Sequence, residues 1–214
     1  MSNGPGSRKS FTQARGRQRR QDLLDAAKKL LETQSMQDIS LGDIAGEAGI
    51  PTGSAYHFFA NVGAVYFALA QTYSNELNEV LAQPYTINPN DGWLQIVDQA
   101  IERGSEFHKH SSAYQQIVTG PKVNPDIKLQ DRQNDKVIGK LLIDAVSAAY
   151  ELPTTPRARE IFFHAVEIID LFFMLSRLRD SCVTAEMKLE ASRAARAYLL
   201  IHYPKVLPRH DADA

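Results

Sequence analysis

The chain has 214 residues, 43% hydrophobic and 23% charged, values ordinary for a globular protein with a sizeable core and room for one large or two small domains. Its net charge of −1 excludes a chain built throughout for a polyanion, but the charge is uneven. Residues 1–20 hold Arg8, Lys9, Arg15, Arg17, Arg19 and Arg20 and no acid, so that +6 stands against −7 on the rest: a basic arm on an acidic body.

Apolar residues recur at helical spacing along nearly the whole chain, and strand alternation is nearly absent. Leu23, Ala27, Leu30 and Leu31 make one face of a first helix, expected roughly from Thr12 to Gln34. Ser40 is placed to cap a short helix with Leu41, Ile44, Ala45 and Ala48 inward, and Gly49 to end it in a left-handed conformation. Pro51 opens a brief third helix that ends near Phe59, and Asn61 is placed to cap a long fourth one bearing Val65, Tyr66, Leu69, Tyr73, Leu77 and Val80. Turn residues and two prolines at 83–93 end that helix.

A fifth helix carries Trp93, Ile96, Val97, Ala100, Ile101 and Phe107, and a shorter sixth carries Tyr114, Ile117 and Val118. After a loop at 119–126, a seventh helix runs to about Tyr150 with Val137, Leu141, Leu142, Ala145 and Ala149 inward. Thr155 and Pro156 begin an eighth helix over about 157–179, a ninth covers 184–202, and Pro204 and Pro208 are expected to end the order. The expected class is all-α, about nine helices, with no internal repeat.

The stretch "SLGDIAGEAGIPTGSAYHFFANVGAVY", residues 40–66, packs two short helices around a glycine bend, with the first helix beside them. That is a helix-turn-helix, whose second short helix enters the DNA major groove. Gly53 and Ser54 keep the front of that helix thin, and Tyr56 and His57 offer hydrogen-bonding groups suited to phosphate oxygens. A phosphate cradle of nucleotide enzymes would need a preceding strand and a Lys-Ser/Thr after the last glycine, and neither is present.

With Ile44, Ala45, Ala48, Gly49, Ile50, Gly53, Tyr56 and Phe59 in register, this stretch resembles the helix-turn-helix of the tetracycline-repressor (TetR) family of bacterial regulators over roughly residues 15–66. The remaining helices resemble the family in number, length and placement. The resemblance implies a dimeric, ligand-responsive transcriptional repressor with a variable C-terminal inducer domain. It divides the chain into a basic arm and DNA-binding domain at 1–62 and a ligand-binding and dimerisation domain at 63–214. DNA contacts are expected from Arg15, Arg17, Arg20, Ser40, Thr52, Gly53, Ser54, Tyr56, His57 and Asn61. Where the family pattern has a phosphate-contacting lysine at the start of the fourth helix, this chain has Val62 followed by Gly63; the arm or the backbone N–H groups after Asn61 are then the substitutes.

The segment "IFFHAVEIIDLFFML", 161–175, is interrupted by His164, Glu167 and Asp170 and is too short and polar to span a bilayer. A helix so apolar is buried on more than one side, which in this family means the ligand cavity and the dimer interface. Trp93, Phe107, Tyr114, Phe163, His164 and Glu167 are the ligand-binding candidates, although each also reads as core or as the polar edge of a bundle. Their make-up suits a mostly apolar, uncharged or singly charged effector rather than a sugar phosphate or nucleotide. For the dimer, Ile161, Ala165, Ile168, Phe172 and Leu175 are expected to pair with Ala191, Ala194, Tyr198 and Ile201 about a two-fold axis.

The lone Cys182 has no disulfide partner, fits a reducing cytoplasm and reads as a small buried residue; the basic N-terminus lacks the apolar run of a secretory signal. His108 and His110, two apart, do not face one metal on a helix, and no catalytic motif is present, so neither metal nor cofactor nor enzyme activity is expected. The expected partners are an operator in double-stranded DNA, a small-molecule effector and a second copy of the chain, with no membrane. A DNA-binding regulator without a small-molecule ligand is the alternative from another class, and a helical enzyme a more distant one.

Overall fold

The structure, a computed structural model, describes residues 5–107, 109, 112–118 and 125–210, with side chains described from residue 13 onward. His108 and His110, the side chains of Arg8 and Lys9, and residues 119–124 of the expected loop lie outside what is described. Among the described residues there are nine helices: α1 (Pro5–Leu31), α2 (Leu41–Glu47), α3 (Thr52–Phe58), α4 (Val62–Leu81), α5 (Leu94–Phe107), α6 (Ser112–Val118), α7 (Pro125–Ser147), α8 (Pro156–Asp180) and α9 (Ala185–His202). They form two compact units, residues 1–71 with 111–124 and residues 72–110 with 125–214. The packing boundary therefore falls inside α4, after Gln71, and α6 belongs to the first unit, whereas the expected division was a single cut at 62.

In the first unit, α1 presents Leu23, Leu24, Ala27 and Leu31, all buried, to α2 and α3. The basic segment is not a separate arm but the front of α1, which begins at Pro5 rather than near Thr12. Local signals set the next two elements. Ser40 forms a reciprocal capping box with Asp43, Gly49 takes φ +66°, and Pro51 precedes α3 as its N-cap. Phe59 and Ala55 close the core beneath α3.

The second unit is built on α7, α8 and α9, with α5 against α7 and α9. Trp93 is fully buried; its indole N–H donates to the Pro204 carbonyl at 3.0 Å, and its ring meets Tyr203 edge-on at 6.1 Å. The chain past α9 does not lose order at the prolines. Leu207 is buried, and Glu151 N–H and His210 N–H donate to Pro208 and Ala149 carbonyls, pairing this tail with the end of α7.

The buried face of α7 is rotated from the expected one. Ile127, Asn134, Asp135, Ile138, Gly139, Leu142, Ile143 and Val146 are buried, whereas Val137 is 45% exposed. Two polar residues on the inner face displaced the apolar stripe that the sequence suggested. Gly139 explains the tight seam with α8: a Cβ there would lie 2.8 Å from the Phe163 amide nitrogen. Cys182, expected to be buried, is exposed in the turn between α8 and α9. No helix among the described residues is long and apolar enough to cross a membrane.

Candidate functional site

The DNA-reading candidates all lie in the first unit, and the structure sorts them by what else they do. Ser40 Oγ accepts the Asp43 N–H at 3.2 Å and donates to the Asp43 carboxylate at 2.6 Å, which holds that carboxyl below its usual range. Asn61 Oδ1 accepts the Ala64 N–H at 2.9 Å and so caps α4. Arg20 lays its guanidinium over the Phe59 ring, 5.1 Å from the centroid, and ties α1 to the end of α3. These three are engaged in holding the unit together.

The others face outward. Thr52, Gly53, Tyr56 and His57 are exposed along α3, with Ser54 half-buried among them, and Tyr56 is 57% exposed. A Cβ at Gly53 would meet nothing within 4 Å. Neither Tyr56 nor His57 has a hydrogen-bonding partner among the described residues, although large polar side chains at a helix surface ordinarily lie along neighbours. Arg15, Arg17 and Arg19 are exposed on the front of α1. The arrangement is a short helix with hydroxyl, phenol and imidazole groups at its outer side beside a basic helix, a chemistry that matches phosphate oxygens and base edges.

Sequence reasoning missed the residues that steady this unit from behind. Gln116 on α6 donates from Nε2 to the Leu31 carbonyl at 2.7 Å and to the Gln34 carbonyl at 3.0 Å, and accepts the Met36 N–H at 2.8 Å. Ser112 Oγ donates to the same Leu31 carbonyl, and Tyr66 O–H donates to the Met36 carbonyl at 2.9 Å. Burial pushes the Tyr66 phenol up to about 12, so it remains a donor throughout the physiological range. A helix end leaves its last carbonyls unpaired, and α6 supplies the partners for α1. Nothing local in the sequence marks a glutamine about 80 positions away as that cap.

The ligand-binding candidates are divided between the two units. Tyr114 is buried in the first unit, on α6, while the other five belong to the second. Trp93 is bonded into the core. Phe107 is partly buried against that core, and Phe163 is half-buried with the Lys136 ammonium 5.7 Å from its ring centroid. His164 is exposed, its Nδ1 2.9 Å from the Tyr198 hydroxyl on α9. Glu167 is ion-paired with Arg132. An open groove of about 750 Å³ runs between α5 and α9, lined by Ile101, Leu189, Ala197 and Leu200 with Asp98, Glu102, Lys188, Arg193 and Arg196, and none of the six candidates lines it. No group of three or more His, Cys, Asp or Glu suited to a metal occurs among the described residues.

Residues 23–69 match the family model described as bacterial regulatory proteins, tetR family. Among solved structures, a TetR-family transcriptional regulator from Streptomyces coelicolor is 23% identical, covering 85% of this chain and 97% of its own, with a TM-score of 0.63. A TetR transcriptional regulator from Rhodococcus sp. RHA1 is 14% identical over 87% of this chain and 98% of its own, with a TM-score of 0.62. The TetR family repressor AlkX from Dietzia sp. strain DQ12-45-1b, implicated in biodegradation of n-alkanes, is 16% identical over 83% of this chain and 91% of its own, with a TM-score of 0.56. No curated protein matches the sequence. Residues 23–69 thus carry the helix-turn-helix segment of the tetR family of bacterial regulatory proteins, and the all-α fold of the chain is the fold of the TetR-family regulators it resembles.

Proposed function

We propose that the protein is a repressor that grips a palindromic operator as a homodimer and lets go when a small, mostly apolar effector binds its second unit. The observation that carries the DNA half is the outer side of α3: Thr52, Tyr56 and His57 are exposed and unengaged, and Arg17 is exposed on α1, while Ser40, Asn61 and Arg20 are spent on holding the helices in place. Tyr56 and the basic face of α1 take phosphates, and the front of α3, thin at Gly53, approaches base edges. A two-fold dimer sets two such helices about one DNA turn apart, ~34 Å.

The effector half rests on the second unit's aromatic and aliphatic make-up and its few inward bases. An effector acts by binding one arrangement of these helices better than another, and α4, which has residues in both units, is the element through which the shift reaches the helix-turn-helix. AlkX, a TetR family repressor of similar fold, is implicated in biodegradation of n-alkanes, which is in keeping with an apolar effector here.

An unbiased selection of DNA fragments with the purified protein tests the first half. Enrichment of a two-fold symmetric sequence is expected, and a selection that enriches no sequence refutes it. Thermal-shift screening against a mixed metabolite library tests the second. Stabilisation by apolar compounds is expected; stabilisation by polyanions alone refutes the effector class, and no stabilisation leaves a DNA-binding regulator without a small-molecule ligand.

A further inference from the structure

α7 sends two carboxylates one turn apart, Asp131 and Asp135, toward α8, and α8 brings Glu167 and Asp170 to meet them. Among the described residues, two bases stand among these four acids. Arg132 is paired with Glu167 and lies 3.7 Å from Asp135 and 4.0 Å from Asp170, and Arg177 lies 3.8 Å from Asp170. Fully ionised, the group would hold two uncompensated negative charges in a place where Asp135 is 5% exposed.

Two of its oxygens are short of a donor. Asp135 Oδ2 and Glu167 Oε1 are buried and have no hydrogen-bond partner among the described residues. On α8 itself Arg177 Nε and Nη1 are buried and make no hydrogen bond to either oxygen, and the charged groups of α5 are engaged elsewhere. On α5, Asp98 and Glu102 are paired with Arg196 and Lys188 of α9, and Arg103 donates to the Gln83 and Pro84 carbonyls. From α4, Asn78 spends its amide N–H on Asn134 Oδ1 at 2.7 Å and leaves its own oxygen without a donor. Buried acceptors with no donor are costly, and two carboxylates at one site relieve that cost by sharing a proton.

We propose that Asp135 and Glu167 hold one proton between them and that this proton fastens the α7–α8 seam, which loosens when the proton leaves on the alkaline side. The three aspartates shift in the direction this requires. Burial first, then the charges of Asp131 and Asp170 and the nearness of Glu167, push the Asp135 carboxyl far above the usual carboxylate range. Burial, then the charge of Asp170, pushes Asp131 up to about 7, against the pull of Arg132 and Arg177. Burial also raises Asp170, opposed by Arg177 and Arg132. A carboxyl whose folded pKa exceeds its unfolded one binds its proton more tightly when folded. The stability it lends is therefore greatest in acid and is lost as pH climbs from the unfolded value of 3.8 through the folded one. The seam is a stiff joint, because Gly139 already brings the α7 backbone against Phe163 with no room for a Cβ, so repulsion near it is not absorbed by slack. The proton is thus a second input to the unit proposed above to hold the effector; only this last link rests on that reading.

The test is thermal unfolding of the full-length protein by circular dichroism at steps from about pH 5.5 to about pH 9.5, for the wild type, Asp135→Asn and Glu167→Gln. Asn at 135 offers Glu167 an N–H at every pH. The wild-type Tm is expected to fall by roughly 5 °C across the series, and Asp135→Asn to remove at least half of that fall while raising the Tm at the alkaline end. An undiminished fall in both variants overturns the proposal. Should the variants not fold, infrared spectra of the wild type decide: a protonated-carboxyl band present at neutral pH and gone in alkali supports the shared proton, and its absence at neutral pH refutes it. Neither readout uses operator or effector, so the regulatory reading and this one fail separately.

Discussion

Gly139 and Tyr56 mark the two ways a single residue matters here, one by leaving space and one by occupying it without support. A methyl group at 139 would sit 2.8 Å from Phe163 N and 2.9 Å from Phe163 Cα, backbone atoms that cannot turn aside. Gly139→Ala is therefore expected to destabilise the protein by about 1–3 kcal/mol through overpacking, despite the better helix propensity of alanine, and chemical denaturation measures it. Gly53→Ala, with open space around its Cβ, is the control: it should leave stability level or slightly higher. Tyr56 is 57% exposed with no partner for its hydroxyl among the described residues. Tyr56→Phe should leave the unfolding midpoint within about 0.5 kcal/mol of the wild type and weaken operator binding roughly tenfold, the loss of one hydrogen bond to a charged phosphate. Equal binding by the two proteins in a fluorescence titration would remove Tyr56 from the contact.

The elements that the sequence revealed are those whose ends are written within three or four residues. Ser40 with Asp43, Gly49 at φ +66°, and Asn61 with Ala64 each act on a neighbour, so α2, α3 and the start of α4 were legible in advance. What was illegible depends on distant partners. The inner face of α7 was misjudged because Val137 and Leu141 look like core until Asn134 and Asp135 find Asn78 and Glu167. Periodicity likewise says that Trp93 and Tyr114 are inward but not toward what. Most hidden was α6, seven residues far along the chain that fold with the DNA-reading helices through Gln116. Gln116→Ala would strand the Gln34 carbonyl and the Met36 N–H at once and leave the Leu31 carbonyl to Ser112 alone. It is expected to cost about 1–3 kcal/mol and to speed hydrogen exchange over residues 31–36 first. If exchange there is unchanged, water replaces the clamp and α6 is only an adjacent element.

At the scale of the whole molecule, the question is which surface a second copy would cover. The stripe expected from periodicity is partly spent inside the chain: Ile161, Ala165 and Ala191 are 5%, 1% and 0% exposed. Leu171, Leu175 and Leu178 on α8 remain open at 46%, 44% and 59%, and with His164 and Ile168 they follow the alternating four-and-three spacing that a packed helix seam uses. The hydrogen bond between His164 Nδ1 and the Tyr198 hydroxyl brings α9 alongside, with Ile201 76% exposed one turn beyond. Leucines left in water on one helix face are an unspent driving force of about 1.5–3 kcal/mol each once covered, and a two-fold partner covers every one of them twice. Leu171→Glu with Leu175→Glu places four carboxylates at such an interface but leaves each chain's own core untouched. Light scattering should report a monomer at micromolar concentration, with the helical circular dichroism signal retained and with affinity for a palindromic operator reduced far more than affinity for a half-site. A double variant that stays dimeric would move the two-fold axis away from α8, and the exposed Leu189 and Leu200 at the α5–α9 groove would then be the next face to substitute.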